Sequence, residues 1–494
     1  MSDFDVIVVG AGNAALAASV SAKENGARNV LLLEGAPREM RGGNTHWSGG
    51  LLRIAYDDVS DLEPLVPDAE EKLPGFTAGV EPYTSEDFRE DLMRVTGGRS
   101  DPALSTVLID NSYDTVRWMH EHAGIPMEPA FSLGGIRIGN VVKWPKGAVI
   151  RAEHEGVGLS RCWFECAEKK GVDIRYGAAA TALVIDDRGR VCGVHARTDD
   201  GMETHSAKAV VLACGGFEAN TQWRAQYLGH PWDHAKVRGT AHNQGDGLRM
   251  ALDIGAMPWG QWSGCHSTPI SNEWGAFADR ELTDKSNRLS YPFGVMINRR
   301  GLRFVDEGED LQFFTYAKYG GIILNQPGSL AYQIFDQKTV HLLEGRYETS
   351  EPITSDTLEG LVAQLDIDDR PQALRTLEEY NGAARGEEGF DPSVKDGLAT
   401  ETLALNKSNW ALKLDKPPFV AYSATGGITF TFGGLKIDEQ ARVIGTDWRP
   451  IPGLYTCGEM VGGLFHDNYP GGTGLVSGAV FGRIAGRNAA REAT

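Results

Sequence analysis

Asp5-Val6-Ile7-Val8-Val9-Gly10-Ala11-Gly12-Asn13-Ala14-Ala15 is the stretch that decides how this chain folds. Val6 to Val9 are apolar and β-branched, as in a strand buried on both faces, and glycines follow at once. The alanine-rich run from Ala14 to Asn25 predicts a helix that stops at Gly26, and a second apolar run, Val30-Leu31-Leu32-Leu33, ends on Glu34. Strand, glycine turn, helix, strand and acid within about 30 residues make GxGxx(G/A) a dinucleotide fingerprint. Gly10 permits the tight turn. Gly12 lets backbone N–H groups, with Asn13 and Ala14 opening the helix, approach a pyrophosphate at the positive helix end. Ala15 stands where a third glycine would allow close helix–strand packing. Glu34, followed by Gly35, accepts hydrogen bonds from both ribose hydroxyls and repels a 2′-phosphate, which disfavours NADP.

The composition narrows the classes. A length of 494 residues allows two or three domains with a large core. Hydrophobic residues at 41% and charged residues at 23% exclude a disordered or membrane-embedded chain. A net charge of -19 is the wrong sign for gripping nucleic-acid phosphates. The 61 glycines are about 12% of the chain against a usual ~7%, which fits backbone that must approach a ligand closely. Six cysteines without a CxxC pair read as reduced thiols, with no metal or iron–sulfur centre expected and a reducing, cytoplasmic compartment implied. A strand starting at Phe4 leaves no room for a secretory signal, and no apolar stretch reaches the ~18 residues of a membrane span.

Arg41-Gly42-Gly43-Asn44-Thr45-His46-Trp47-Ser48-Gly49-Gly50 follows the second strand where an NAD domain would continue into a helix. Such a loop lays backbone amides along a flavin, so the expected cofactor is FAD, held by Arg41, Gly42, Gly43, Asn44, Ser48, Gly49 and Gly50. His46 reads as a loop residue beside a noncovalent flavin rather than as its covalent anchor. A helical pattern spans Glu86 to His122, and Arg137, Lys143, Lys146, Arg151 and His154 form a basic cluster that either attracts an anion or is a solvated loop. A hairpin containing Ala182 precedes the apolar strand Ala209 to Phe217, whose Ala213 and Gly215 are placed near the adenosine. A helical stretch is expected from Leu358 to Ala384. Texture changes after about Trp262 and returns after Pro417. The expected organisation is therefore a FAD-binding domain over 1–262 and 416–494, interrupted by 263–415. Near the carboxyl terminus, Gly458-Glu459 ends a strand, and Gly472-Thr473-Gly474-Leu475 opens a small-residue helix able to stabilise negative charge on a reduced flavin ring.

The fingerprint, Gly42-Gly43-Asn44, Gly301-Leu302-Arg303-Phe304-Val305-Asp306-Glu307, Gly433-Gly434-Leu435-Lys436-Ile437-Asp438 and Gly458-Glu459 together resemble the fumarate reductase and succinate dehydrogenase flavoprotein superfamily over nearly the whole chain. Leu33-Glu34-Gly35-Ala36-Pro37-Arg38-Glu39, Val95-Thr96-Gly97-Gly98, Cys214-Gly215-Gly216-Phe217-Glu218-Ala219-Asn220, Thr315-Tyr316-Ala317-Lys318-Tyr319-Gly320 and Asn468-Tyr469-Pro470 are most similar to FAD-dependent tricarballylate dehydrogenases. The resemblance implies an α/β fold: a Rossmann-like FAD-binding domain, with parallel sheet and β-meander, and an inserted α+β capping domain. It also implies hydride transfer between a substrate carbon and the flavin, with movement of a neighbouring proton. Three departures matter. Thr429-Phe430-Thr431 replaces the His-His-Thr of fumarate reductases, Tyr469 replaces an arginine, and Leu311-Gln312 occupies the place of their catalytic arginine. By resemblance, His266 matches a substrate-binding histidine at the start of the cap, and Tyr469 matches a tyrosine that polarises a carbonyl in 3-ketosteroid dehydrogenases. Tyr316 and His466 complete the catalytic candidates.

The expected activity is FAD-dependent dehydrogenation or reduction of a C–C bond beside a carboxylate or carbonyl, with a tricarballylate-like polycarboxylate favoured. A ring ketone is the alternative, and a non-catalytic flavin sensor or assembly subunit is the rival of another class. An external protein, quinone or small molecule exchanges the electrons.

Overall fold

The computed structural model describes residues 3–144, 146–384 and 386–493. Its central sheet grows from Phe4–Val9, which pairs in parallel with Val30–Leu33 on one side and with Gly201–Leu212 on the other. Asp173–Arg175 extends the sheet beyond Val30–Leu33, and Pro450–Thr456 followed by Arg442–Ile444 extends it beyond Gly201–Leu212. The two ends of the chain thus share one sheet, with Val211 opposite both Val8 and Tyr455. The antiparallel meander Ala179–Ile185, Val191–Thr198 and Gly201–Leu212 completes eight strands.

Small residues set the helix layer. The fingerprint helix Asn13–Glu24 lies against the carboxyl-terminal helix Thr473–Ala493 so closely that a Cβ at Gly482 or Gly486 would strike the carbonyl oxygen of Ala14 or Ala18. That approach brings the amino ends of both helices to one place.

The second sheet contains six strands built on the long antiparallel pair Pro258–Ser271 and Phe419–Leu435. Ala331–Phe335 and Val295–Asn298 add to one edge, and Lys236–Val237 and Ile353–Ser355 also pair with Phe419–Leu435. This sheet therefore reaches past 263–415 on both sides, because the long pair is continuous through position 262 and carries residues toward the first domain. Two helical expectations are divided by capping residues. The 86–122 pattern forms Ser85–Val95, Pro102–Asp110 and Ser112–Ala123, with Asp101 accepting from Ala103 and Leu104 N–H groups. The 358–384 pattern forms Leu358–Gln364 and Arg370–Ala383, because Asp369 accepts from Gln372 N and Pro371 starts the second helix. All six cysteines are free, and four are buried. Among the described residues, no helix is long and apolar enough to cross a membrane.

Candidate active site

A cavity of 440 Å³ runs from the first sheet toward the second. Its floor is the fingerprint. Gly10 has φ +103, and a Cβ there would overlap the Ala213 backbone, so the turn requires glycine. At Gly12 a Cβ would come no nearer than 3.5 Å to any atom, which leaves the helix end open to a ligand. Glu34 lies at the end of its strand, 8% exposed, with Oε1 accepting from Ala36 N at 2.8 Å. Burial raises its carboxyl above the usual range, against the pull of the Ala36, Ala11 and Gly35 N–H groups.

Gly10, Gly12, Asn13, Ala14, Glu34, Gly35, Gly43, Asn44, Ser48, Ala213, Gly215, Gly458, Glu459, Gly474 and Leu475 line this cavity. The other expected cofactor residues stand behind its wall. Ala15 is fully buried in the helix layer. Arg41 stacks 4.3 Å from the Phe164 ring centroid and donates to Tyr176 OH. Gly42 and Gly50 have positive φ and pack on Ser160 and Glu155, while Gly49 abuts Asp284. Gly472 packs on Leu51 and Arg53, and the Thr473 hydroxyl donates to Pro470 O. Ala182 gives way to Ala179 and Ala180, because the strand starts earlier than its apolar pattern and a bulge shifts its register. His46 lies off the cavity, with Nε2 3.2 Å from the Arg280 carbonyl oxygen.

Glu459, which lines the cavity, meets Glu218, which is fully buried behind the wall. Glu459 Oε1 accepts from Thr431 N at 2.7 Å and from Thr431 Oγ1 at 3.1 Å. Glu218 Oε1 accepts from Asn44 Nδ2 at 2.6 Å and from Asn243 Nδ2. Burial, then the charge of Glu459, pushes Glu218 well above the usual carboxyl range, and burial also raises Glu459. The neutral form of Glu218 is favoured beside Glu459 by burial and by the like charge.

At the end nearest the second sheet, two strands, one helix and one loop build an aromatic cage in which Phe430, Phe465 and Tyr469 line the cavity and His266 and Tyr316 pack behind them. His266 from Pro258–Ser271 sits opposite Phe430 in the ladder, and the two rings stack 5.0 Å apart at 8°. Tyr316, at the start of the helix Tyr316–Leu324, hydrogen-bonds Tyr469 hydroxyl to hydroxyl. Both rings meet His266 edge-on, and Phe465 closes against Tyr469. Among the described residues neither nitrogen of His266 has a hydrogen-bond partner, and burial followed by the charge of Arg238 pushes the imidazole well below its usual range, favouring the neutral ring. Burial, then the neighbouring Tyr469, raises Tyr316 well above the usual phenol range. Burial also raises Tyr469, outweighing Tyr316, Arg238 and Arg53. Both phenols are therefore donors, and base chemistry from them is disfavoured. His466 lies off the cavity beside Asp467, with its neighbours Leu464 and Phe465 forming the wall instead.

Arg238 is the group that sequence reasoning missed. It follows Lys236–Val237, is 8% exposed and lines the cavity. Its N–H donates to Ile428 O at 2.8 Å, Nε donates to Thr429 Oγ1 at 3.0 Å, and Nη1 donates to Trp47 O at 3.2 Å. Among the described residues no carboxylate pairs with it. The basic cluster, by contrast, is spent elsewhere. Arg151 pairs with Glu128 and Glu155, Lys146 with Glu81 and Asp87, and Arg137 donates to Pro74 O. None of that cluster lines the cavity.

The family model described as FAD binding domain matches residues 5–476. The chain is 31% identical over 494 residues to the probable fumarate reductase Ifc3 of Shewanella frigidimarina, covering 99% of this chain and 75% of that protein. It is 24% identical to the 3-oxosteroid 1-dehydrogenase of Mycobacterium tuberculosis, covering 100% of this chain and 99% of the relative. The open conformation of a flavocytochrome c3 fumarate reductase superposes with TM-score 0.72 at 28% identity, covering 99% of this chain and 78% of that one.

Proposed function

The chain belongs to the FAD binding domain family, and from that premise we propose an FAD-dependent oxidoreductase that oxidises or reduces a C–C bond next to a carboxylate. The observation that carries the carboxylate is Arg238. A guanidinium stays charged even when burial lowers its pKa, and a buried cation without a counter-ion is costly. An anionic substrate placed between Arg238 and the cage supplies that counter-ion. A tricarballylate-like polycarboxylate is the favoured substrate, in line with the segments that resemble tricarballylate dehydrogenases.

FAD fits the residues present: Glu34 and Ala179–Ala180 at one end for an adenosine, the fingerprint for its phosphates, and Gly458, Glu459 and Gly474 toward the ring. Bound FAD supplies hydride transfer to or from the substrate carbon. The protein's own groups orient that carbon. Arg238 binds the carboxylate, the Tyr469 hydroxyl accepts from Tyr316 and donates to a substrate oxygen, and Phe430 and Phe465, backed by neutral His266, exclude water from the reacting face. The segment 263–415 serves as the cap over this end, and an external carrier exchanges the electrons.

The tyrosine pair favours a second reading, a ring ketone or enone whose carbonyl the phenols polarise. Anaerobic mixing of the oxidised holoprotein with tricarboxylates, dicarboxylates and ketones, and of the reduced holoprotein with their unsaturated counterparts, separates the readings by flavin absorbance. Rapid change with polycarboxylates alone supports the first proposal, and change with neutral ketones alone overturns it. A flavin inert to the whole panel assigns the chain to the non-catalytic class.

A further inference from the structure

The chain also carries a cluster away from the cavity, on the turn that precedes Arg238. His230, Asp233 and His234 each present one ligand atom, and these atoms lie within 4.8 Å of one another. Asp233 Oδ1 is 3.8 Å from His230 Nδ1, and Asp233 Oδ2 is 3.6 Å from His234 Nε2. The imidazole ring centroids stand 6.0 Å apart with the planes at 88°, edge to face rather than stacked. Asp233 Oδ1 is shielded from solvent and accepts no hydrogen bond.

We propose that this turn binds a divalent transition-metal ion of the zinc type through His230 Nδ1, His234 Nε2 and the Asp233 carboxylate. A tetrahedral ion with bonds of about 2.1 Å holds its ligand atoms about 3.4 Å apart; the two carboxylate–imidazole spacings of 3.8 and 3.6 Å need to contract by a few tenths of an ångström, and the whole set, within 4.8 Å, closes by rotation of the exposed imidazoles. Two imidazoles with one carboxylate select zinc, cobalt, nickel or copper over magnesium and calcium, which take mainly oxygen ligands. The histidine side chains are 82% and 67% exposed, so an ion has direct entry and keeps a position for water.

The backbone holds this arrangement without the ion. Trp232–His234 is a tight turn in which His234 N donates to Pro231 O at 3.0 Å. Trp232, inside it, packs on Gly321 of the helix Tyr316–Leu324 and beside Val237 and Ile428. The chain then runs directly into Lys236–Val237 and Arg238. An ion here ties down the strap that delivers Arg238 to the cavity.

The test is calorimetric titration of chelator-treated, FAD-loaded protein with zinc chloride, magnesium chloride serving as control. The expected result is a single zinc site per chain that His230→Gln and His234→Gln each weaken at least about tenfold, with a zinc-dependent rise in melting temperature lost in the same variants. Both substitutions lie at exposed positions and leave the flavin spectrum as the check of folding. Absence of zinc binding by the wild type, or equal zinc affinity in the variants, overturns the proposal.

Discussion

Arg238→Gln removes the cavity-lining cation held at Thr429, next to Phe430 of the cage, while keeping a side chain able to hydrogen-bond Thr429 Oγ1. A hydrogen bond to a charged group is worth about 1.5–3 kcal/mol, which at about 1.4 kcal/mol per decade corresponds to about a 10- to 150-fold loss of kcat/KM with an acid. A neutral ketone makes no ion pair with Arg238, so its constants are expected to change less than about threefold. Folding is expected to suffer little, because the lost bond to Trp47 is offset by relief of a buried, unpaired charge. Arg238→Lys keeps the charge but not the fork that reaches Thr429 and substrate together, so it falls between the two. The assay is anaerobic stopped-flow reduction of the holoprotein flavin across a concentration series of the fastest acid from the panel. Equal losses for acids and ketones, or an unchanged apparent affinity for acids, refute the assignment of Arg238 as the carboxylate anchor.

Tyr469→Phe leaves Tyr316 without its hydroxyl partner and removes one donor to the substrate oxygen. Turnover is expected to fall about 100- to 1,000-fold with FAD still bound, and a wild-type rate in stopped flow removes Tyr469 from the mechanism. Glu218 has its folded pKa raised well above the carboxyl range, so the stability tied to its proton is complete at low pH and is lost as pH rises toward that folded value. Glu218→Gln keeps the neutral form at every pH; the melting temperature of the wild type is therefore expected to decline, relative to the variant, as pH rises above the ordinary carboxyl range of about 4–5, and parallel curves contradict the raised pKa of Glu218. Gly486→Ala drives a Cβ into the Ala18 carbonyl between the two helices, with an expected loss of about 1–3 kcal/mol in denaturant unfolding.

The cofactor half was legible because its signals are local. Val6 to Val9, Gly10, Gly12 and Glu34 lie within one βαβ unit, and each residue's job follows from its place in that unit. The carboxyl-terminal glycines were legible for the same reason: Gly474 and Leu475 open a helix whose packing on Asn13–Glu24 needs small residues throughout. Arg238 was not legible. It sits in an irregular stretch, and its partner Thr429 is 191 positions away, so only the parallel pairing of Lys236–Val237 with Gly427–Ile428 places it. The basic cluster stayed ambiguous for the converse reason. Its charges are visible in the sequence, but the acids that neutralise Arg151 and Lys146 come from other segments, including Glu128, Glu81 and Asp87.

Residues 429–431 explain why the departures from the fumarate reductase pattern belong together. Thr429 Oγ1 accepts from Arg238, and its carbonyl accepts from Asn44, which also donates to Glu218. Two residues on, Thr431 donates to Glu459 from both its backbone and its hydroxyl. Between them Phe430 stacks on His266 in the cage. A strand alternates its side chains, so one tripeptide ties an arginine and an acid pair to the same backbone that presents the aromatic wall. A histidine at 429 would bring a ring to the place where the guanidinium is held by a short hydroxyl. The guanidinium and the aromatic wall therefore depend on one stretch of the long strand: Thr429 holds Arg238, and Phe430 packs on His266 and Tyr469 in the cage.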